Sequence, residues 1–256
     1  MIHWKLLLLA VLIFLVEQVH GQDLERIGTG RPDQTQGTTV VPEGTLQLES
    51  GLQYEKNATE EQDTRTRAYP SVSLRYGLLD NLELRLQSSY QDSVIREDGG
   101  RRTVSGTGPL QAGFRLYMWD GAGWLPQAAF TATVAVPVTK SSMASDYAAT
   151  AFRLGFTNTI TSQLSLTYTV GYGWVQEGNE TKYAVKLSGD LSEHIAAYGE
   201  VYGTKASKSR PYHQTDAGLL FLVRHNMQLD VAAGVGLSRA APDFFITTGF
   251  SVRLPR

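Results

Sequence analysis

The chain has 256 residues, of which 42% are hydrophobic, 19% charged and 10% aromatic, with a formal net charge of −2 at pH 7. That balance excludes an intrinsically disordered chain and gives no global basic field for nucleic acid. The absence of cysteine excludes disulfides, thiol catalysis, thiolate metal sites and lipid attachment at an N-terminal cysteine.

In chain order, the first element is a processing signal. Lys5 precedes the apolar run Leu6–Val16, which is too short for a helix that needs roughly 20 apolar residues to span a bilayer. It fits a secretory signal peptide over residues 1–21, cut near Gly21–Gln22, with an uncleaved anchor as the alternative. The next stretch, 22–43, is polar and rich in Gly, Thr and Pro ("RIGTGRPDQTQGTTVVPEG" from Arg26). It reads either as a disordered periplasmic leader or as a plug that folds into a barrel mouth.

From residue 44 the chain reads as strands. "TLQLESGLQYE" places Leu46, Leu48, Leu52 and Tyr54 opposite Gln47, Glu49, Gln53 and Glu55. "SVSLRYG" sets Val72, Leu74 and Tyr76 against Ser71, Ser73 and Arg75, and the segment Asn81–Tyr90 sets Leu82, Leu84 and Leu86 against Glu83, Arg85 and Gln87. The same alternation marks "PLQAGFRLYM", "AFRLGFTNTI", "QLSLTYTVGYGW", "KYAVKLSG", "MQLDVAAGVGL" and "FFITTGFSVRL". Weaker patterns predict strands over about Trp124–Val136, Ile195–Tyr202 and Thr215–Arg224, for twelve in all. A period of two is what a sheet between two different environments requires. The connections alternate between tight ones ("LLDN", "DGAG", "TS", "SEH", "HN") and longer polar ones ("QDSVIREDGGRRTVSGT", "TKSSMASD", "TKASKSRPYH"). An up-and-down meander gives that pattern.

Periodicity alone leaves two readings open: a soluble sandwich or barrel with an apolar core, or a transmembrane barrel with an apolar exterior and a polar lumen. Strands near ten residues, an even strand number and aromatics at strand ends (Tyr76, Tyr90, Trp119, Trp124, Trp174, Tyr202) favour the membrane. The expected fold is all-β: an up-and-down antiparallel transmembrane β-barrel of about 12 strands over residues 44–256, in the bacterial outer membrane.

The stretches "TGRPDQTQGTTVVPEGTLQLESGLQYE", "LRYGLLDNLELRL" and "LDVAAGVGLSRAAPDFFITTGFSVRL" resemble a bacterial outer-membrane transporter family labelled by the MetA-pathway of phenol degradation. The resemblance covers most of the mature chain. It implies an outer-membrane barrel that passes small molecules, aromatic or other hydrophobic compounds among them. Its partners would be outer-membrane lipid, a small-molecule solute and the barrel-assembly machinery. The chain departs from the usual barrel ending: it closes on Leu254-Pro255-Arg256 rather than on an aromatic residue.

The inner face is expected to carry Glu49, Arg75, Glu83, Arg85, Arg115, Arg153, Lys182, Lys186, Glu200, Asp230 and Arg253. These charges either line a conduit or form a network that closes a narrow barrel. No catalytic, cofactor or metal motif is found. HExxH and GxSxG are absent, and His213 near Ser207 and Ser209 gives only a faint parallel to lipid-hydrolysing barrels. The expectation is therefore passive transport without catalysis or cofactor, with a sealed structural or adhesive barrel as the alternative and a lipid-acting barrel enzyme behind it.

Overall fold

The computed structural model describes residues 26–59, 62–97, 100–136, 147–175, 178–207 and 209–254. The expected signal peptide and the connection "TKSSMASD" lie outside the described residues. Every regular element within them is a strand: β1 (Leu46–Ala58), β2 (Gln62–Leu79), β3 (Leu82–Glu97), β4 (Gly100–Thr107), β5 (Leu110–Trp119), β6 (Gln127–Val136), β7 (Ala149–Thr159), β8 (Leu164–Val175), β9 (Gly178–Asp190), β10 (Ile195–Ala206), β11 (Tyr212–Arg224), β12 (Met227–Gly236) and β13 (Phe244–Leu254).

Twelve of these close into an antiparallel barrel, each pairing with its neighbour in sequence apart from a step from β3 directly to β5. Closure is made by β1, which pairs with β2 on one side (Leu48↔Leu74) and with β13 on the other (Leu48↔Val252). Closure leaves the wall without a free edge, so its backbone hydrogen bonds are met within the protein, as the hydrocarbon layer demands. The thirteenth strand, β4, pairs only with the upper half of β3 (Tyr90↔Thr107 to Glu97↔Gly100). Part of what the sequence suggested as a long loop is thus a hairpin. β1 and β2 likewise continue their pairing to Ala58↔Asp63, above the barrel proper. The expected alternation of tight and long connections is blunted because the strands themselves take up much of the long ones.

The alternation sorts as expected. On β3, Glu83 and Arg85 are buried while Leu84 and Leu86 are exposed at 44% and 40%. The outer face carries a cross-strand row of aromatics: Phe114–Phe130, Phe130–Phe152 and Phe152–Trp174, with centroids 6.1, 5.9 and 5.7 Å apart. Such pairs stabilise adjacent strands and cover the wall with apolar surface. Tyr76, Tyr90, Trp119, Trp124 and Trp174 are exposed at the ends of the apolar band. Tyr202 is a correction: it stands on the inner row of β10 with the buried Tyr198 and Glu200. Trp124 also departs from expectation, since β6 begins at Gln127 and Trp124 caps the tight connection before it, 90% exposed.

If Leu84 faces lipid, Leu84→Arg should destabilise the barrel by about 2–4 kcal/mol, the cost of an arginine near the bilayer midplane. Denaturant titration in vesicles, read by the mobility of unheated samples on gels, checks this. A midpoint equal to that of the wild type would contradict the assignment of faces.

Candidate functional site

Residues 26–45 do not trail away from the barrel; they run inside it. The segment begins at the short-turn end, where Arg26 pairs with Asp190 at 2.7 Å and the Ile27 N–H donates to the His225 carbonyl at 3.0 Å. It climbs to Arg31. That guanidinium donates to Ser71, Thr247, the Thr248 carbonyl and Asp230 at 3.0–3.3 Å. Arg31 lies against Gly51 and Gly249, which face each other across the β1–β13 pairing; a Cβ on Gly51 would stand 2.2 Å from the guanidinium carbon. The chain then crosses the lumen. The Gln34 and Thr35 N–H groups both donate to the Glu200 carboxylate, at 2.7 and 3.0 Å. Gln36 exchanges hydrogen bonds with the Thr169 hydroxyl, both at 3.0 Å. It descends on the opposite side, where the Val41 N–H donates to Glu83 at 2.8 Å, and Gly44 meets Gly77 at the rim. A buried irregular segment must find a partner for each backbone group. Here the barrel's inward side chains provide many of them.

The structure sorts the eleven expected inner-face charges into several places. Five converge on the wall of β1, β2, β3 and β5. Arg75, fully buried, donates to both Glu83 oxygens (2.7–3.2 Å) and to Glu49 at 2.9 Å. Arg85 lies 3.5 Å from Glu83, and Arg85 and Arg115 both donate to the Gln36 side-chain oxygen. Arg75 and Arg115 also donate to the Thr39 carbonyl, at 3.2 and 3.1 Å. Glu200 and Asp230 stand on the other wall, with Gln34–Thr35 and Arg31 respectively. Lys186 pairs with Asp33, and Lys182 with Glu180 at 2.8 Å. Arg153 lines an upper cavity and Arg253 is buried at the rim beside Asn226. The lumen therefore has one wall where three arginines outnumber two glutamates and another where Glu200 and Asp230 stand, with the segment between them.

Three polar cavities follow the segment. One of about 390 Å³ opens at the short-turn end, between residues 26–33 and β8–β12. Two lie on the far side: about 270 Å³ beside Arg31, Ser71, Gln87 and Ser89, and about 130 Å³ beside Gln36, Arg153, Tyr202 and Tyr212.

Sequence reasoning missed Arg31, Asp33, Gln36 and Asp216. The first three lie in a segment without periodicity, which gives no signal of what it touches. Asp216 was detectable: it shares the inner row of β11 with Gln214, two residues away. The Ser–His parallel is not assembled, because the Ser207 hydroxyl bonds Asn179 while His213 Nδ1 lies 2.8 Å from the Tyr183 hydroxyl. Among the described residues no group of three or more His, Asp or Glu side chains is placed to hold a metal ion.

A known family matches residues 29–254, most of the inserted segment included, under the description "Putative MetA-pathway of phenol degradation". The chain belongs to that family. No curated protein matches the sequence. Among solved structures, an outer-membrane channel from Pseudomonas putida F1 superposes with a TM-score of 0.68 at 12% identity, covering 89% of this chain and 99% of that one. The translocator domain of the autotransporter NalP from Neisseria meningitidis gives 0.54 at 14%, covering 81% and 88%. A toluene transporter from Ralstonia pickettii gives 0.50 at 7%, covering 84% and 90%. At these identities the likeness is one of fold. With its closed wall and apolar outer band, this family member is a bacterial outer-membrane β-barrel, and its short-turn end is periplasmic.

Arg75→Met should destabilise the protein by about 3–5 kcal/mol, because it leaves the buried Glu49 without its cation and Glu83 with only the longer contact to Arg85. Arg75→Met combined with Glu49→Gln and Glu83→Gln should recover much of that loss. Equilibrium unfolding in detergent measures both, and an unchanged single variant would contradict the central role of Arg75.

Proposed function

We propose that the barrel lets small molecules, aromatic and other hydrophobic compounds among them, cross the outer membrane passively, and that residues 26–45 act as the plug that sets what passes. The observation that carries this reading is the position of the segment between the periplasmic cavity and the two outer ones. A barrel that only needed a filled core could fill it with wall side chains. This one brings in a strand-less segment and holds it by polar contacts, which water and solutes can replace one at a time. Family membership and the fold shared with the Pseudomonas putida channel and the Ralstonia pickettii toluene transporter support the same reading. The mechanism needs no chemistry: solute enters the outer cavities, passes the plug where its contacts open, and leaves through the periplasmic cavity down its gradient.

Gly155 is a sensitive point, because a Cβ there would stand 2.3 Å from the Gln36 carbonyl oxygen. Gly155→Ala therefore pushes the plug off the wall without touching the lipid face. In liposomes, the full-length barrel should pass a neutral aromatic and an aromatic acid faster than a sugar. Deleting residues 26–43 should raise all three fluxes and erase the preference, and Gly155→Ala should fall between. The sealed, structural reading has the dense bonding of the segment in its favour. It would replace transport if no form passes solute while unheated gels show each barrel folded.

A further inference from the structure

Above the apolar band, the outer face of the β1–β4 sheet changes character. Tyr54, Tyr69 and Tyr90 mark the boundary, with the Tyr69 and Tyr90 rings 5.8 Å apart and both exposed. In the same row as Tyr54, and beyond it, stand five cations of the outward face: Arg67, paired with Tyr54; Lys56, paired with Arg65; and Arg96, paired with Arg101. Two of these register pairs set like charges directly opposite each other, an arrangement that is destabilising without a counter-charge. The protein provides little of it. Asp63 takes Arg65 at 3.0 Å, Asp92 lies 3.8 Å from Arg67, and nearby Asp243 accepts the Ala58 N–H at 3.1 Å. Asp63 also stands opposite Arg96 in the β2–β3 register, but it is Arg65 that it holds, and among the described residues no carboxylate forms an ion pair with Lys56, Arg96 or Arg101.

Tyrosines settle at the headgroup level of a bilayer, so cations immediately beyond them on a lipid-facing wall stand among headgroups. The anions available there are phosphates, which match the planar donor fork of arginine. We propose that this patch binds the phosphate groups of an outer-leaflet lipid, the phosphorylated glucosamines of lipid A. Its place on the outer wall rather than at the lumen mouth assigns it to a lipid and not to a solute in transit. The acyl chains of the lipid would then lie along Leu52, Leu86, Tyr69 and Tyr90, which are already exposed.

The test is native mass spectrometry of the full-length folded barrel in neutral detergent, titrated with diphosphorylated lipid A, with the same lipid dephosphorylated, and with inorganic phosphate as competitor. Diphosphorylated lipid A should bind, and affinity should fall by about fivefold for each cation removed along the series Arg101→Gln, then Arg96→Gln, then Lys56→Gln. Arg224→Gln, at the opposite rim, should leave binding unchanged. Arg101 lies on β4, which pairs only with β3 outside the barrel wall, so its replacement leaves the wall intact. Equal binding of the dephosphorylated lipid, or by the triple variant, would overturn the proposal. Displacement by inorganic phosphate at the lipid's own concentration would also overturn it, by making the site one for free phosphate.

Discussion

A charge carried into the middle of a barrel that crosses a membrane needs a dipole or a counter-charge close by, because the wall shields it from bulk water. An irregular stretch of backbone placed in the same lumen has the complementary need: each N–H requires an acceptor and each carbonyl a donor. In this protein the two needs are met against each other. Glu200 and Glu83 accept backbone N–H groups of the inserted segment, and Arg75 and Arg115 donate to its carbonyls. Neither the lumen charges nor the segment would be comfortable alone. The polarity of the interior and the fixed course of residues 26–45 both depend on that exchange.

The exchange is also directional. Arg75, Arg85 and Arg115 belong to neighbouring strands on one side, while Glu200, Asp216 and Asp230 belong to β10–β12 on the other. The segment answers this with its own charges, turning Arg31 toward Asp230 while its carbonyls face the arginines. The wall is therefore more than a container: its charge pattern holds the segment in one orientation.

What could be read from the sequence follows from periodicity. Strand positions, facing and closure were legible because lipid outside and polar groups inside impose a strict period of two, as at Leu84 and Arg85. The same period placed Glu49 and Asp230 on the inward rows of β1 and β12, where both are buried. Periodicity says nothing about partners, however. That Arg75 bridges Glu49 and Glu83 depends on the register between three strands, and a shift of one residue would have separated them. Tyr202 was misplaced because a tyrosine near a strand end suggests a membrane boundary whichever way it points. Residues 26–45 were the least legible, since their conformation is dictated by the lumen and not by any pattern of their own. The hairpin formed by β3 and β4 was hidden by its composition: beyond the apolar band neither face of Gly100–Thr107 meets hydrocarbon, so the apolar half of the alternation is lost.

The course of the segment has a mechanical consequence. Arg26 and Gly44 both lie at the periplasmic rim, so residues 26–45 form a loop pushed into the lumen from below rather than a thread that passes through it. A load applied to Arg26 from the periplasm would meet the contacts of Ile27, Gly30 and Arg31 one after another instead of all together. Bonds loaded in series part at far lower force than the same bonds sheared in parallel. Under such a load the contacts would part in order from Arg26 upward, while the Val41 and Gly44 contacts on the returning limb would not yet bear it.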